Sequence, residues 1–175
     1  VLTKAFPSAY SKILRQNVRG YNRMPTHLQM QLKRKIRQFL HEKTFVGCAG
    51  LEITDEIRLT IAAKACLLLL NREIAVYPKL THILVYPGAF IAPRQQLATG
   101  GIVTHTNQTL SGESWSDGRV ILAWDQIITN TFQDDFEHDV VIHEFAHQLD
   151  SEDGSANGAP VLQTTAAYRS WSQVM

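Results

Sequence analysis

Two histidines four residues apart, in a segment of helical periodicity, constrain this chain more than any other feature. The segment has acids near its start and apolar residues at helical spacing, which together predict a helix from about residue 134 or 135 to residue 149; the apolar residues are Val141, Ile142, Phe145, Ala146 and Leu149. On such a helix, His143 and His147 are separated by about 400° of rotation and about 6 Å of rise, so both imidazoles leave the same face. The apolar side buries the helix, and both imidazoles then point toward a cleft.

The spacing of His143 and His147 lets two ring nitrogens reach one zinc ion at about 2.0–2.1 Å. Glu144 lies roughly 100° around the helix from His143, which is too far to bind the same metal easily but close enough to hold a water molecule on it. H-E-x-x-H metallopeptidases divide the work in this way, so we predict one Zn²⁺ per chain, with His143 and His147 as metal ligands and Glu144 as the catalytic base. The alternative is a pair of surface histidines without a metal.

The third ligand is the open question, because a catalytic zinc usually has three protein ligands and a water molecule. Asp153 occupies the third-ligand position of the extended pattern H-E-x-x-H-x-x-G-x-x-H, but Asp150 stands where that pattern has the glycine that turns the chain back. We therefore expect a carboxylate on a following helix, beyond Met175, and keep Asp153 as the weaker candidate. Asp150 either accepts the second N–H of His147 or of a nearby ligand, or is simply a charged helix end.

The rest of the chain predicts one α+β domain. A length of 175 residues suits a single domain, and a composition of 45% hydrophobic and 19% charged residues excludes collagen, coiled coil and general disorder. We predict a helix over residues 26–43, with Thr26 and Gln29 as a capping box. A second helix, which Thr54 can cap, is apolar almost all round over residues 62–70, and we expect it to be buried.

Three β-branched runs, at residues 82–86, 102–106 and 119–124, predict strands. Turn signals around them, such as residues 116–118, favour a small, mixed, partly antiparallel sheet over βαβ crossovers. We expect a zincin-like metallopeptidase domain in which helices pack on this sheet and the active-site helix follows it. The third run precedes the zinc helix, and we predict that its edge binds a peptide substrate by β-augmentation; the residues concerned are Val120, Ile121, Leu122, Ala123 and Trp124.

Positive charge is concentrated near the start of the chain. Residues 1–43 contain ten Lys or Arg and one acid, for a net charge of +9, whereas the other seven bases and 15 acids give −8. We expect residues 1–25 to be a basic lead-in or arm and residues 26–175 to be the metallopeptidase domain. The basic surface either meets an acidic partner or nucleic acid, or packs against the acidic remainder. One basic helix without interleaved aromatic residues gives little support for nucleic-acid binding.

Nothing in the sequence signals export or a membrane partner. The start has no charged n-region followed by an apolar h-region, and the longest apolar run, residues 65–70, is too short to span a bilayer. Cys48 and Cys66 lack CxxC spacing, which indicates free thiols in a reducing compartment. We therefore expect a cytoplasmic protein. Because the chain begins with valine and stops within a helical pattern, we also expect it to be a fragment.

Residues 140–150 resemble the zinc helix of the Mlc titration factor A family of gluzincin-like, zinc-dependent peptidases. Four other blocks agree with that family in order and spacing, at residues 83–87, 111–115, 120–124 and 153–160. The resemblance extends from about residue 26 to the end of the chain. It is specific because separated blocks agree, and not the H-E-x-x-H pentapeptide alone.

The resemblance implies a cytoplasmic zinc peptidase with aminopeptidase-type activity on small substrates. It also implies binding to a glucose-responsive transcriptional repressor of sugar uptake, and this binding relieves the repression. By position, His143 and His147 are the zinc ligands and Glu144 is the base. The family's third ligand is a glutamate on a later helix, preceded by a tyrosine that assists catalysis, and neither has a counterpart up to Met175. We therefore expect this fragment to lack full activity, and the alternative is a regulatory protein-binding module without significant catalysis.

Overall fold

The computed structural model describes residues 6–73, 75–88, 90–98, 102–110, 112–115, 118–132 and 139–151. The helices in these ranges are α1 Ser8–Asn17, α2 Thr26–Glu42, α3 Asp55–Leu67, α4 Trp124–Phe132 and α5 Val140–Asp150. The strands are β1 Thr44–Gly47, β2 His82–Tyr86, β3 Phe90–Ala98, β4 Ile102–Leu110, β5 Gly112–Trp115 and β6 Arg119–Ala123. A short 3₁₀ turn, Tyr21–Arg23, lies between α1 and α2.

Four of these strands form a mixed sheet in the order β1-β2-β6-β5. Strands β1, β2 and β6 are parallel, and β5 pairs with β6 in the antiparallel direction. Ile83 and Val85 of β2 are fully buried and alternate with more exposed residues, so the hydrophobic pattern fixes which face of this strand meets the core. The other two strands, β3 and β4, form a separate antiparallel pair. The predicted combination of helices with a small mixed sheet is confirmed.

The connection between β1 and β2 corrects one expectation about this sheet. Helix α3 joins these two parallel strands, so the first half of the sheet contains a βαβ crossover, which our reading of the turn signals disfavoured. Strand β1 is only four residues long and ends at Gly47. A side chain at Gly47 would overlap the carbonyl of Leu51, so the glycine serves the close approach of the chain after the strand.

Helix α3 lies at the centre of the helical layer. Oγ1 of Thr54 accepts a hydrogen bond from the backbone N–H of Ile57 at 3.2 Å, which confirms the predicted cap. The helix is buried continuously from Leu59 to Cys66 and packs against α1, α2 and α5, as its apolar composition predicts. Even so, none of the helices in the described ranges has the length and apolar character that crossing a membrane requires.

Helix α2 confirms the predicted element but not its predicted cap. Pro25 is the N-cap residue and Thr26 is already helical, so the helix begins one residue earlier than a capping box from Thr26 would require. Nε2 of Gln29 instead donates to the carbonyls of Tyr21 and Met24, at 3.2 and 2.9 Å, and so ties the helix to the turn before it. The apolar side of α2 is fully buried at Leu32, Ile36 and Phe39.

The start of the chain is more ordered than we expected. Residues 8–17 form helix α1, and its Leu14 is fully buried in the core, so this stretch of the expected lead-in or arm packs against the domain. Nδ2 of Asn17 donates to Oε1 of Glu56 at 2.9 Å and to Oγ1 of Thr60 at 3.0 Å, which fastens the end of α1 to α3. Basic residues interrupt the short apolar pattern of α1 and hide its periodicity. The division of the chain at residue 25 stays a prediction.

Candidate metal centre

Asp139 sets the start of the helix that carries the two histidines. Its Oδ1 accepts hydrogen bonds from the backbone N–H groups of Val141 and Ile142, at 3.1 and 3.2 Å. Helix α5 therefore begins at Val140, and the predicted start at residue 134 or 135 is wrong; residues 133–138 themselves lie outside the described ranges. Because the N–H of His143 donates to the carbonyl of Asp139 at 2.9 Å, the first histidine lies one turn from this cap.

The apolar side of α5 is held by an aromatic cluster. The fully buried ring of Phe145 packs edge-on against Tyr77, with 4.9 Å between centroids, and lies 5.7 Å from the ring of Phe39. The hydroxyl of Tyr77 in turn donates to the carbonyl of Ala65 in α3 at 2.7 Å. Ala146, which we assigned to the apolar side, is exposed, because a residue three positions after His143 shares the histidine face.

The two histidines lie on one exposed face of α5, as their spacing predicts. Their Nε2 atoms are 3.1 Å apart, and their ring centroids are 4.6 Å apart at an interplanar angle of 88°. Glu144, one residue on, turns toward the buried side and is only 7% exposed. The local arrangement therefore has two imidazole nitrogens converging at the surface, beside a largely buried carboxylate.

The distance between these nitrogens can be compared with that required by a metal. Two nitrogens bound to one tetrahedral zinc ion at about 2.0–2.1 Å lie about 3.3–3.4 Å from each other. The observed 3.1 Å is close to this value, and with protons on both Nδ1 atoms both Nε2 lone pairs are available to one cation. The two imidazoles therefore fit zinc as a pair of ligands. Within the described ranges, no group of three or more His, Cys, Asp or Glu side chains is arranged to hold a metal.

The two aspartates that we considered near the metal are placed differently. Asp150 ends α5, and its Oδ1 is buried without a hydrogen-bond partner in the described part of the chain, so this atom accepts no N–H from His147. A role for Asp150 beside the metal therefore stays a prediction. Asp153 lies outside the described residues.

The prediction that residues 120–124 form a substrate-binding edge strand is wrong. Residues 119–123 form β6, which pairs with β2 on one side and with β5 on the other, and Trp124 already belongs to α4. Val120, Leu122 and Ala123 are fully buried, and Ile121 is 8% exposed. A strand with two neighbours has no free edge, so residues 120–124 cannot bind a peptide by β-augmentation. The apolar composition that suggested a binding strand reflects an interior position in the sheet.

Sequence reasoning missed Lys64, which reaches the start of α5 from α3. This lysine is 3% exposed and forms an ion pair with Asp139. The available signal is a single lysine inside an otherwise apolar run, because a buried lysine needs a partner. The sequence does not say which acid the partner is.

Comparisons with known proteins agree with the resemblance carried by this helix. A family model described as glucose-regulated metallo-peptidase M90 matches residues 1–175. An uncharacterized protein of Synechocystis sp. is 38% identical over 172 residues, which cover 98% of this chain and 62% of the relative. Proteins named Mlc titration factor A are 33% identical in Klebsiella pneumoniae, covering 78% of this chain and 52% of the relative, and 33% identical in Pectobacterium atrosepticum, covering 71% and 47%.

This chain thus spans about half to three-fifths of the length of these relatives. The family model nevertheless covers it from end to end. The predicted resemblance to the Mlc titration factor A family is confirmed, and the chain belongs to the glucose-regulated metallo-peptidase M90 family.

Proposed function

We propose that this chain carries the metal-binding helix of a zinc-dependent peptidase, with His143 and His147 as zinc ligands and Glu144 as general base. The observation that carries the proposal is the 3.1 Å separation of two Nε2 atoms on one exposed helix face. Imidazole nitrogen suits zinc among the metals common in proteins, and the family is one of metallopeptidases. The remaining protein ligand belongs to residues other than those described.

The residues of this helix have distinct parts in the proposed chemistry. When bound, the zinc ion lowers the pKa of a water ligand and polarises the scissile carbonyl of the peptide. His143 and His147 hold the metal at the exposed face of α5. Glu144 accepts the proton of the attacking water and passes it to the amine that leaves. Its largely buried position limits the solvent around the carboxylate while the proton is held.

The sheet offers a place for the substrate at its other edge. Strand β5 is the last strand of the described sheet on the side of β6, and helix α5 packs against it. A peptide that adds to the side of β5 away from β6, where the described residues form no further strand, extends the sheet beside the histidine helix. The family resemblance favours aminopeptidase-type cleavage, so peptides with a free amino terminus should be hydrolysed and N-acetylated copies of the same peptides should not.

The substitution Glu144→Gln in the full-length protein tests the proposed mechanism. Glutamine keeps the shape of the side chain but cannot accept the proton, so zinc affinity should stay within about threefold of wild type while kcat/KM falls by about 100-fold or more. Zinc content, peptide hydrolysis and urea unfolding are measured on the same preparations. The matched variant His143→Ala should lose zinc and hydrolysis together. Undiminished turnover in Glu144→Gln would refute the role of this residue.

A second function, regulatory protein binding, is favoured by a basic groove on α2. A cavity of about 470 Å³ opens there, and Met30 beside it is 66% exposed; its lining residues are His27, Met30, Gln31, Arg34, Arg37 and Asn71. Relatives carry the name Mlc titration factor A, so an acidic face of a transcriptional repressor is the partner that we propose for this groove. This binding and the peptidase activity do not exclude each other.

Charge reversal tests the groove better than deletion does, because α1 and α2 supply core residues. Arg34→Glu should weaken repressor binding in a pull-down, and higher salt should weaken wild-type binding in the same direction. Lys12→Glu makes the same charge change at an exposed site on α1, outside the groove, and serves as the matched control. Equal binding by all three proteins at every salt concentration would exclude this surface.

A further inference from the structure

A buried ammonium group joins three helices at the start of the histidine helix. Nζ of Lys64, in α3, lies 2.8 Å from Oδ2 of Asp139, and the two side chains are 4% and 10% exposed. The same nitrogen donates to Oγ1 of Thr131 at 3.0 Å and to the carbonyl of Ile127 at 3.5 Å, both in α4. Three N–H groups thus meet three acceptors, which is the condition for burying a charge at tolerable cost.

The carboxylate of Asp139 divides its two oxygens between two tasks. Oδ1 caps α5 by accepting from the N–H groups of Val141 and Ile142, and Oδ2 accepts from Lys64. The backbone carbonyl of the same residue accepts the N–H of His143. The position of Lys64 is therefore transmitted to the first metal-facing histidine through one intervening residue.

Apolar packing alone does not fix the position of α5 along and around its own axis. The contacts of Phe145 with Tyr77 and Phe39 hold the helix against the core, but dispersion and hydrophobic contacts have little directionality. A slip of one residue turns a helix by about 100° and moves it by about 1.5 Å, which would carry an imidazole off the metal face. Hydrogen bonds from a fixed ammonium do have direction, and those of Lys64 end at the cap.

We propose that Lys64 is a positioning residue, which through Asp139 fixes the rotation and axial register of α5 so that His143 and His147 face one metal ion. A buried ion pair often adds little net stability compared with apolar residues of similar volume, so its value here is orientation. The proposal rests on the proposed function in one respect, since it takes these two histidines to be the metal ligands. Lys64 touches neither substrate nor metal in this role.

The test uses the full-length protein and the double variant Lys64→Met/Asp139→Asn. Methionine is close to lysine in length, and asparagine keeps an oxygen for the cap, so no charge is left unpaired. If the ion pair of Lys64 with Asp139 only stabilised the fold, the double variant should behave like wild type in every measurement. The matched control is Lys35→Met, which removes another buried lysine, one whose Nζ donates to the carbonyl of Arg72.

Three measurements separate the outcomes. The double variant should unfold in urea near the wild-type midpoint but bind zinc about 10-fold more weakly in a chelator competition. Its Co²⁺-loaded form should show a visible spectrum shifted from that of wild type, because the ligand geometry at the metal has changed. In metal-free protein, amide exchange at Val141, Ile142 and His143 should be about 10-fold faster or more, because the first turn opens more often.

The same measurements show what would overturn the proposal. A folded double variant with zinc affinity, Co²⁺ spectrum and exchange rates within twofold of wild type would reduce Lys64 to a structural role, as would equal changes in Lys35→Met. If the double variant does not fold, Lys64→Met alone is measured, because the carboxylate of Asp139 still accepts from the N–H groups of Val141 and Ile142, and it should show the same weakened zinc binding. If wild-type protein binds no zinc, the proposed function fails, whereas the exchange rates in metal-free protein still decide whether Lys64 sets the start of α5.

Discussion

Phe145 offers the sharpest test of how α5 is held in place. Its ring is fully buried, and both of its aromatic neighbours, Tyr77 and Phe39, are at most 1% exposed, so the surroundings have little freedom to close around a smaller side chain. Replacing a buried Phe by Ala costs about 3–5 kcal/mol, and a rigid site belongs to the upper half of that range. We therefore expect Phe145→Ala to lower the free energy of unfolding of the metal-free protein by about 4 kcal/mol.

Urea unfolding followed by tryptophan fluorescence measures this loss. With a slope of about 2 kcal/mol per molar urea, the midpoint should fall by about 2 M. Phe145→Leu keeps most of the volume and should cost about 1.5 kcal/mol or less. His147→Ala changes an exposed residue on the same helix and should stay within about 0.5 kcal/mol of wild type. A loss below about 1 kcal/mol in Phe145→Ala would refute the anchoring role of the aromatic cluster.

Three further predictions follow from the structure. Thr54→Ala should destabilise the protein by about 1 kcal/mol in urea unfolding, whereas Thr26→Ala should be nearly neutral, because only Thr54 caps its helix; equal losses would contradict this. Cys66 is fully buried, and burial raises the pKa of its thiol, so a thiol reagent should modify partly exposed Cys48 first and Cys66 only on unfolding, as mass spectrometry can show. Adding zinc at about 100 times its dissociation constant should raise the unfolding free energy by about 2.7 kcal/mol, and a chelator should remove this gain, whereas no effect of either would argue against a metal bound to the folded state.

Features that depend on neighbours in the sequence could be predicted. The cap by Thr54 and the convergence of His143 with His147 each involve residues within four positions, where helical geometry alone decides which groups meet. The capping box at Thr26 is equally local but failed, because the preceding Pro25 takes the cap position. Local patterns therefore identify the helix and its two imidazoles, and they err where a neighbouring residue occupies the N-cap position instead.

Features that depend on distant pairings could not be predicted. Lys64 and Asp139 are 75 positions apart, and the sequence around the lysine does not indicate which acid pairs with it. The role of residues 120–124 depends on whether a strand lies on each side of them. An apolar run is equally compatible with an interior strand and with an edge strand that binds a peptide, so the sequence alone does not distinguish the two. The third ligand that we predict would be a pairing of the same kind, since helical spacing can bring only nearby ligands together.

The position of α3 among α1, α2 and α5 has a consequence for the order in which parts of the chain fold during synthesis. Two of these three neighbours precede α3 in the chain, and strand β2, which completes its crossover, follows soon after. During synthesis, this amino-terminal portion can collapse on the ribosome before the histidine helix has left the exit tunnel. When α5 emerges, its apolar side then meets a surface that has already folded rather than an unfolded chain.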